Sequence, residues 1–259
     1  MRKFDSIAQI FLIVFVIIVV SGVSSLFLRV NPYILLKTFK SKEFLFSLKF
    51  SLLTSSISLL ISLLFSIPIA YVLSKNDFLG KEIIKDIMDI PIFLPPLVLG
   101  LAYLILFGGK VGSLFEKIGI QFLFSPLGVV FAQFVVITPY VERNIEVVFS
   151  KISKRYEFIG KSMGLSDFEV FKKIIIPLAK DGIFTGLITG WSRAIAEFGA
   201  TLMIAGATKM RTETFPIAIF LGIASGDMDF AVSTGVLMIL ISFLILFMVR
   251  GAFERNVSY

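Results

Sequence analysis

Long apolar runs that lack any charged residue divide this chain into segments. Five such windows of 20 to 25 residues occur: Ser6–Leu28, Phe50–Ser74, Ile90–Gly109, Ile118–Val141 and Phe230–Val249. A helix of about 20 apolar residues crosses the hydrocarbon core of a bilayer. Because backbone groups in lipid must form hydrogen bonds within their own segment, each window predicts a transmembrane helix.

A sixth apolar segment, Gly182–Thr208, is interrupted only by Arg193 and Glu197. These two residues are four apart, which places them on one side of a helix. We therefore predict an all-α, polytopic membrane protein that forms one domain, residues 1–259. Its six spans are expected at about 7–28, 50–73, 90–108, 124–146, 182–206 and 230–250.

The first window has two interpretations. Arg2 and Lys3 precede it and small serines occur near its end, as in a cleaved signal peptide. Its apolar run continues through Leu28, which is longer than the usual apolar core of a signal peptide. We therefore count it as a retained span.

Composition agrees with a membrane protein and excludes several chemistries. The chain is 57% hydrophobic, with a mean hydropathy of +0.95, and it contains neither cysteine nor histidine. This excludes disulfides, thiolate or imidazole metal sites, and nucleophiles activated by histidine. The net charge of +7 is attributed to membrane orientation and anionic headgroups, and no nucleic-acid partner is expected.

The basic residues favour one orientation in the cell membrane. An even number of spans leaves both termini on one side, and placing them in the cytoplasm puts 15 Lys and Arg residues inside and 9 outside. The segment Arg29–Lys49 carries five of the outside charges. An amphipathic helix in the headgroup plane would account for them.

One loop, Glu142–Gly182, is much longer and more charged than a turn requires. It contains eight basic and six acidic residues, and we name it the charged loop. The segment Lys151–Met163 predicts a helix that ends at Gly164, a residue suited to the left-handed conformation.

A second helix is predicted after that turn. Ser166, Asp167, Phe168 and Glu169 match a capping box, and the helix is expected to end near Ile175, because Pro177 disfavours helix in the residue before it. Two interpretations of the unit remain: a connector that rests on the membrane surface, or an element that inserts into a cleft of a partner protein.

The charged loop resembles the EAA loop of permease subunits of ABC importers. Gly164, Ile174 and Pro177 keep the spacing of that signature, whereas Phe158-Ile159-Gly160 replaces the EAA triplet and Glu157 lies one residue early. The resemblance implies a type I importer permease fold in which a cytoplasmic coupling loop, 147–181, docks onto an ATP-binding subunit. The docking candidates are Glu157, Phe158, Gly160, Gly164, Ser166, Asp167, Phe168 and Pro177.

ATP is expected on the partner subunit, not on this chain. Gly160-Lys161-Ser162 is similar to the end of a phosphate-binding loop, but that motif needs a glycine at position 155, which is Arg155. We predict no cofactor here, with ATP and Mg²⁺ bound by the separate ATP-binding subunit.

The fifth predicted span carries the intramembrane charges. Arg193 and Glu197 either line or gate a pathway or form a structural ion pair, and we favour the structural or gate-supporting role because Glu197 would repel an anion. The run from Glu197 to Thr201 and the later Thr212-Glu213-Thr214 are similar to molybdate and tungstate permeases. The resemblance implies an oxyanion substrate, with sulfate as the alternative.

A serine stripe follows one face of the second span. Small polar residues let membrane helices approach closely, and they could also line a pore. The stripe consists of Ser51, Ser55, Ser58, Ser62 and Ser66. Ser55, Ser58 and Ser62 join Arg193, Glu197 and Thr201 as pathway or gate candidates.

The resemblance implies a homodimeric permease that works with two ATP-binding subunits and an extracytoplasmic binding protein. A secondary transporter or channel is the second hypothesis, and inverted repeats would favour it. A membrane enzyme is the third, and it would need a catalytic cluster that this sequence lacks.

Overall fold

The computed structural model describes the backbone of residues 2–257 and the side chains of residues 9–245 and 247. In this part of the chain the regular secondary structure is helical, and it contains no strand. The all-α prediction is confirmed. The helices are α1 (Arg2–Arg29), α2 (Pro32–Phe39), α3 (Lys42–Lys75), α4 (Lys81–Phe93), α5 (Pro96–Phe107), α6 (Lys110–Lys117), α7 (Pro126–Lys151), α8 (Lys154–Ser162), α9 (Asp167–Val170), a π-helical segment (Phe171–Ile175), α10 (Ile176–Leu178), α11 (Lys180–Ile195), α12 (Gly199–Ala205), α13 (Phe215–Ala224) and α14 (Met228–Val257).

The chain forms two compact units. One contains the residues up to Phe46 together with those from Ala218 onward, and the other is Ser47–Ile217. The second unit holds the charged loop and the candidate residues predicted from the sequence. The site described below lies entirely within it.

Three helices in the described residues are long and apolar enough to cross a membrane. They are Gln9–Arg29, Lys42–Lys75 and Met228–Ile245, and two bent helix pairs raise the number to five if each pair is one span. The predicted span 124–146 corresponds to α7, which is less apolar because it contains Gln133, Glu142 and Arg143. The structure therefore supports a multi-pass membrane protein, and the count of six stays a prediction.

The predicted continuous span 90–108 is wrong. The chain forms α4 and α5 with an angle of 107° between them, and the break falls at Leu94 and Pro95. Leu94 is extended, as expected for a residue before proline, and Pro96 begins α5, where its missing N–H leaves no hydrogen bond unmade.

The predicted continuous span 182–206 is also interrupted. Helix α11 ends at Ile195, and α12 begins at Gly199. At the other end, the helical stretch Asp167–Leu178 meets α11 at an angle of 71°. Each break exposes helix ends within the polypeptide, and these ends need polar partners.

Glycines bring α7 and α11 into close contact. A Cβ atom on Gly190 would lie 2.4 Å from Cγ2 of Val141, and one on Gly182 would lie 2.0 Å from Cγ2 of Val148. Gly186, midway between them, is also buried. The spacing of four places these glycines on one face of α11, the arrangement that lets membrane helices approach closely.

The charged loop packs into the same core as the ends of the spans. Val141, Ile145 and Phe149 of α7 form a buried cluster with Val170 and Ile175 of the loop. The loop is therefore a folded part of the second unit, whose position depends on α7.

Candidate functional site: the charged loop and the membrane-embedded polar residues

The first helix of the charged loop is shorter than predicted. Helix α7 continues to Lys151, and α8 covers only Lys154–Ser162. The boundary lies at Ser153, whose side chain accepts a hydrogen bond from the backbone N–H of Arg155 and so caps α8. The predicted turn is confirmed, because Gly164 has a φ of +84°.

The predicted capping box at the start of the second helix is confirmed. The hydroxyl of Ser166 accepts from the N–H of Glu169 at 3.3 Å, and a Glu169 carboxylate oxygen accepts from the N–H of Ser166 at 3.1 Å. Lys173 donates to the other carboxylate oxygen at 2.8 Å. This hydrogen bond and those from Ser166 lower the pKa of Glu169 to about 2.

Pro177 does not end the second helix, contrary to the prediction. The helical chain continues to Leu178, and the break follows at Ala179. The preceding five residues, Phe171–Ile175, form a π-helical segment. A π-helical turn shifts the hydrogen-bonding pattern, so a proline can follow without breaking the helix.

Phe168 and Phe171 have different surroundings, although a spacing of three would place them on one face of an α-helix. Phe168 is exposed, whereas the ring of Phe171 contacts that of Tyr71 with 4.8 Å between centroids. Phe171 also packs against Phe149. Only Phe168 is therefore available to a partner.

Gly160 replaces the last alanine of the EAA triplet for a steric reason. A Cβ atom there would lie 2.7 Å from Cδ1 of Ile174 and 2.8 Å from Cγ2 of Val170. These side chains hold the second helix of the loop against α8. The absence of a side chain at position 160 is therefore part of how the two helices pack.

Glu157 faces the interior of the second unit. Its carboxylate lies 3.4 Å from Nζ of Lys75, at the end of α3, and both side chains are largely buried. Lys75 also donates a hydrogen bond to the carbonyl of Ile152. The pair ties α8 to the end of a membrane span.

Other predicted docking residues are exposed. Phe158 and Phe168 are each 71% exposed, and Met163, which was not among the predicted docking residues, is 75% exposed. Asp167 pairs with Lys161 across the turn, and this pairing raises the pKa of Lys161. We name Phe158, Met163 and Phe168 the exposed loop residues.

Arg193 and Glu197 form an ion pair, but the two side chains have different surroundings. Arg193 lies 3.4 Å from Glu197, and the side chains are 33% and 1% exposed, respectively. The guanidinium of Arg193 lies 5.9 Å from the centre of the Tyr140 ring. Arg193 is therefore the accessible charge of the pair.

Glu197 stabilises the start of α12. Its second carboxylate oxygen accepts a hydrogen bond from the N–H of Ala200 at 2.9 Å. A carboxylate at a helix N-terminus is favourable because free N–H groups point toward it. Thr201, in the first turn of α12, is completely buried.

The serine stripe contacts α7. The hydroxyl of Ser58 donates to the carbonyl of Val130 at 2.9 Å, Ser66 donates to that of Thr138, and Thr138 donates to Ser62. The stripe is fully buried in the second unit. These contacts are those of closely packed helices. Ser55 is buried too and bonds within its own helix.

Gln133 connects the serine stripe with α11 and was not among the residues predicted from the sequence. Its side-chain oxygen lies 3.1 Å from the hydroxyl of Ser58, and its nitrogen donates to the carbonyl of Ala194 at 3.1 Å. Three helices, α3, α7 and α11, are thereby linked next to Arg193. A glutamine within a charge-free apolar window was the available signal.

These features define a class of protein: a multi-helix membrane permease with a folded loop that presents apolar residues outside its spans. The chain belongs to the family described as the binding-protein-dependent transport system inner membrane component, whose model matches residues 62–259. Its members are permease subunits of ABC importers.

Curated relatives have names that specify different oxyanions. The chain is 34% identical over 81% of its length to a protein of Chlorokybus atmophyticus named "Probable sulfate transport system permease protein cysT", covering 74% of that protein. It is 33% identical to the molybdenum transport system permease protein ModB of Haemophilus influenzae, over 67% of this chain and 77% of the relative. The molybdate/tungstate transport system permease protein WtpB of Pyrococcus abyssi is also 33% identical, over 66% and 64% of the two lengths.

Solved importers share the fold. A chain of a bacterial ABC transporter that imports the acidic polysaccharide alginate superposes with a TM-score of 0.78, over 99% of this chain and 98% of that one, at 16% identity. A chain of the MetNI methionine ABC transporter superposes with a TM-score of 0.63, over 84% and 97% of the two lengths, at 15% identity. The predicted importer-permease fold is confirmed.

Proposed function

We propose that this chain is the permease subunit of an importer for a tetrahedral oxyanion, most specifically molybdate or tungstate. The observation that carries the oxyanion class is the set of relatives above 30% identity, whose names specify sulfate, molybdenum or molybdate/tungstate. These substrates are all tetrahedral dianions. The run Glu197 to Thr201 favours molybdate and tungstate, because sulfate permeases tend to have tyrosine and serine in the places of Phe198 and Ala200.

Sulfate is the second candidate. Its support is the 34% identity to a relative named as a sulfate permease. This identity is as high as the identities to the relatives named for molybdenum and for molybdate/tungstate. Phe198 and Ala200 are the positions at which the two groups of permeases tend to differ. Their surroundings at the start of α12 favour a structural role for both residues. Phe198 precedes α12 and Ala200 bonds to Glu197.

The importer would be a homodimer with both termini in the cytoplasm. The charged loop would then face the cytoplasm, where an ATP-binding subunit would cover the exposed loop residues. An extracytoplasmic binding protein would deliver the anion on the other side. ATP binding and hydrolysis would occur on the ATP-binding subunits, and closure of those subunits would move the loops and open the spans alternately to each side.

Reconstitution of the full importer tests the substrate. The permease, its ATP-binding subunit and its binding protein are placed in vesicles, and ATP-driven uptake of labelled tungstate, molybdate and sulfate is measured, each alone and with the other two as competitors. We expect molybdate to compete strongly and sulfate weakly. Strong competition by sulfate would instead assign the chain to the sulfate group, and failure of all three anions to enter would contradict the oxyanion proposal.

A further inference from the structure

A groove of about 370 Å³ opens between the end of α7 and the start of α11. Its polar lining consists of Tyr140, Arg143, Asn144 and Thr185, and none of the described residues that line it carries a carboxylate. The groove therefore presents a cation, an amide and two hydroxyls. The hydroxyl of Thr185 and the amide of Asn144 already donate to the carbonyls of Asp181 and Tyr140, so the guanidinium of Arg143 and the hydroxyl of Tyr140 are the groups that can donate to an anion.

A row of polar residues continues from the groove along α11. Asn144 donates to the hydroxyl of Thr189 at 3.2 Å, and Arg193 lies over the ring of Tyr140. Thr185, Thr189 and Arg193 follow one another at intervals of four on α11, which places them on one face. The row connects the groove with the intramembrane arginine.

The charges near this row favour an anion. Glu197 is withdrawn from solvent, and its charge is shared between Arg193 and the start of α12. Its carboxylate is not part of the groove lining. Arg143 is 61% exposed, and its partner Asp89 lies 3.4 Å away on α4, outside the groove lining.

We propose that this groove is the anion-binding part of the transport pathway. Arg143 and the hydroxyl of Tyr140 contact a tetrahedral dianion in the groove, and Arg193 contacts it at a later point along α11. The inference rests on the proposed function, because it takes the oxyanion as the substrate, and it names the residues that bind it.

Thiol labelling tests the groove directly, because the native chain contains no cysteine. Thr185→Cys is reacted with an anionic and a cationic methanethiosulfonate reagent of similar size in the assembled importer. Electrostatic focusing in a charged cleft raises encounter rates by about tenfold or more, so the anionic reagent should react faster by that order. Tungstate should slow its reaction. Ser150→Cys, exposed on α7 and outside the groove lining, is the matched control and should show neither effect.

A transport measurement separates this inference from the proposed function. Arg193→Gln should reduce oxyanion uptake by about tenfold or more, the loss expected for one charge-assisted hydrogen bond. Arg193→Lys should retain part of it. Arg211→Gln, an exposed arginine in a turn, is the control and should transport normally. If native importer transports the anion and Arg193→Gln transports it equally well, the groove assignment is wrong while the proposed function stands.

Varying the lipid composition distinguishes a bound oxyanion from an anionic lipid headgroup, because the same groups of the groove could bind either one. In vesicles without anionic lipid, tungstate should still protect Thr185→Cys. Protection that appears only with anionic lipid, and is unaffected by tungstate, would assign the groove to a lipid headgroup and overturn the proposal. Equal reaction rates for both reagents, without protection by tungstate, would also overturn it.

Discussion

At the residue scale, backbone conformation decides how the charged loop turns. Gly164 adopts a φ of +84°, a conformation that costs other residues about 1–2 kcal/mol. We expect Gly164→Val to distort the turn between α8 and the second helix and to abolish co-purification with the ATP-binding subunit. Membrane insertion, measured by extraction and size-exclusion chromatography, should be unchanged.

Ser162→Ala is the matched control for the turn. It removes only a hydroxyl that bonds to the carbonyl of Phe158 on the exposed side of α8. It should leave the complex intact. A Gly164→Val chain that still co-purifies with its partner would contradict the docking assignment.

The Lys75–Glu157 pair leads to a second residue-scale prediction. Removing one partner of a buried pair leaves an uncompensated charge, which costs about 3–5 kcal/mol in fully buried cases and less here, because Glu157 is 18% exposed. We expect Glu157→Gln to lower the melting temperature of the purified permease more than the exposed substitution Glu169→Gln.

A double variant gives the control for this pair. Lys75→Met combined with Glu157→Leu removes both charges and should recover part of the lost melting temperature. If the double variant is less stable by the sum of the two single losses, the two side chains do not interact, and the proposed tie between α8 and α3 is wrong.

At the element scale, α7 and α11 approach closely because glycines face α7. A valine at position 190 would overlap the side chain of Val141. Overpacking costs about 1–3 kcal/mol or more. Gly190→Val should therefore lower the melting temperature and reduce transport together. Gly22→Val, in α1, where a Cβ atom meets no neighbour within 4 Å, is the control and should be tolerated.

The local elements of the loop were predictable because each depends on neighbouring residues. The capping box of Ser166 and the turn at Gly164 need only a few consecutive positions, and both are present. The breaks in the predicted spans were not predictable in the same way. The break before α12 depends on how Glu197 meets the N–H of Ala200, and periodicity alone carries no such information.

Long-range contacts explain the remaining differences. The role of Gln133 requires α3, α7 and α11 to be placed together, and the inward orientation of Glu157 requires Lys75 nearby. These residues are far apart in the chain. A hydrophobicity pattern shows which segments are buried in lipid or protein, but it does not show which neighbour each polar side chain will find.

At the scale of the whole molecule, the charged loop is linked to the spans by packing and an ion pair. The loop packs against α7, its first helix is tied to α3, and α7 contacts α11 along the glycine face. Movement of a partner bound to the exposed loop residues would be transmitted through these contacts to the polar row on α11. The central claim is that those exposed residues contact an ATP-binding subunit.

Cysteine cross-linking in the assembled importer tests that claim most directly, because the native permease contributes no cysteine of its own. Phe158→Cys, Met163→Cys and Phe168→Cys, treated with a short bifunctional thiol–amine reagent, should each yield a product of permease plus ATP-binding subunit. Ser113→Cys, exposed on α6, should yield none. Absence of the product at all three loop positions, in an importer that hydrolyses ATP and transports its substrate, would contradict the account.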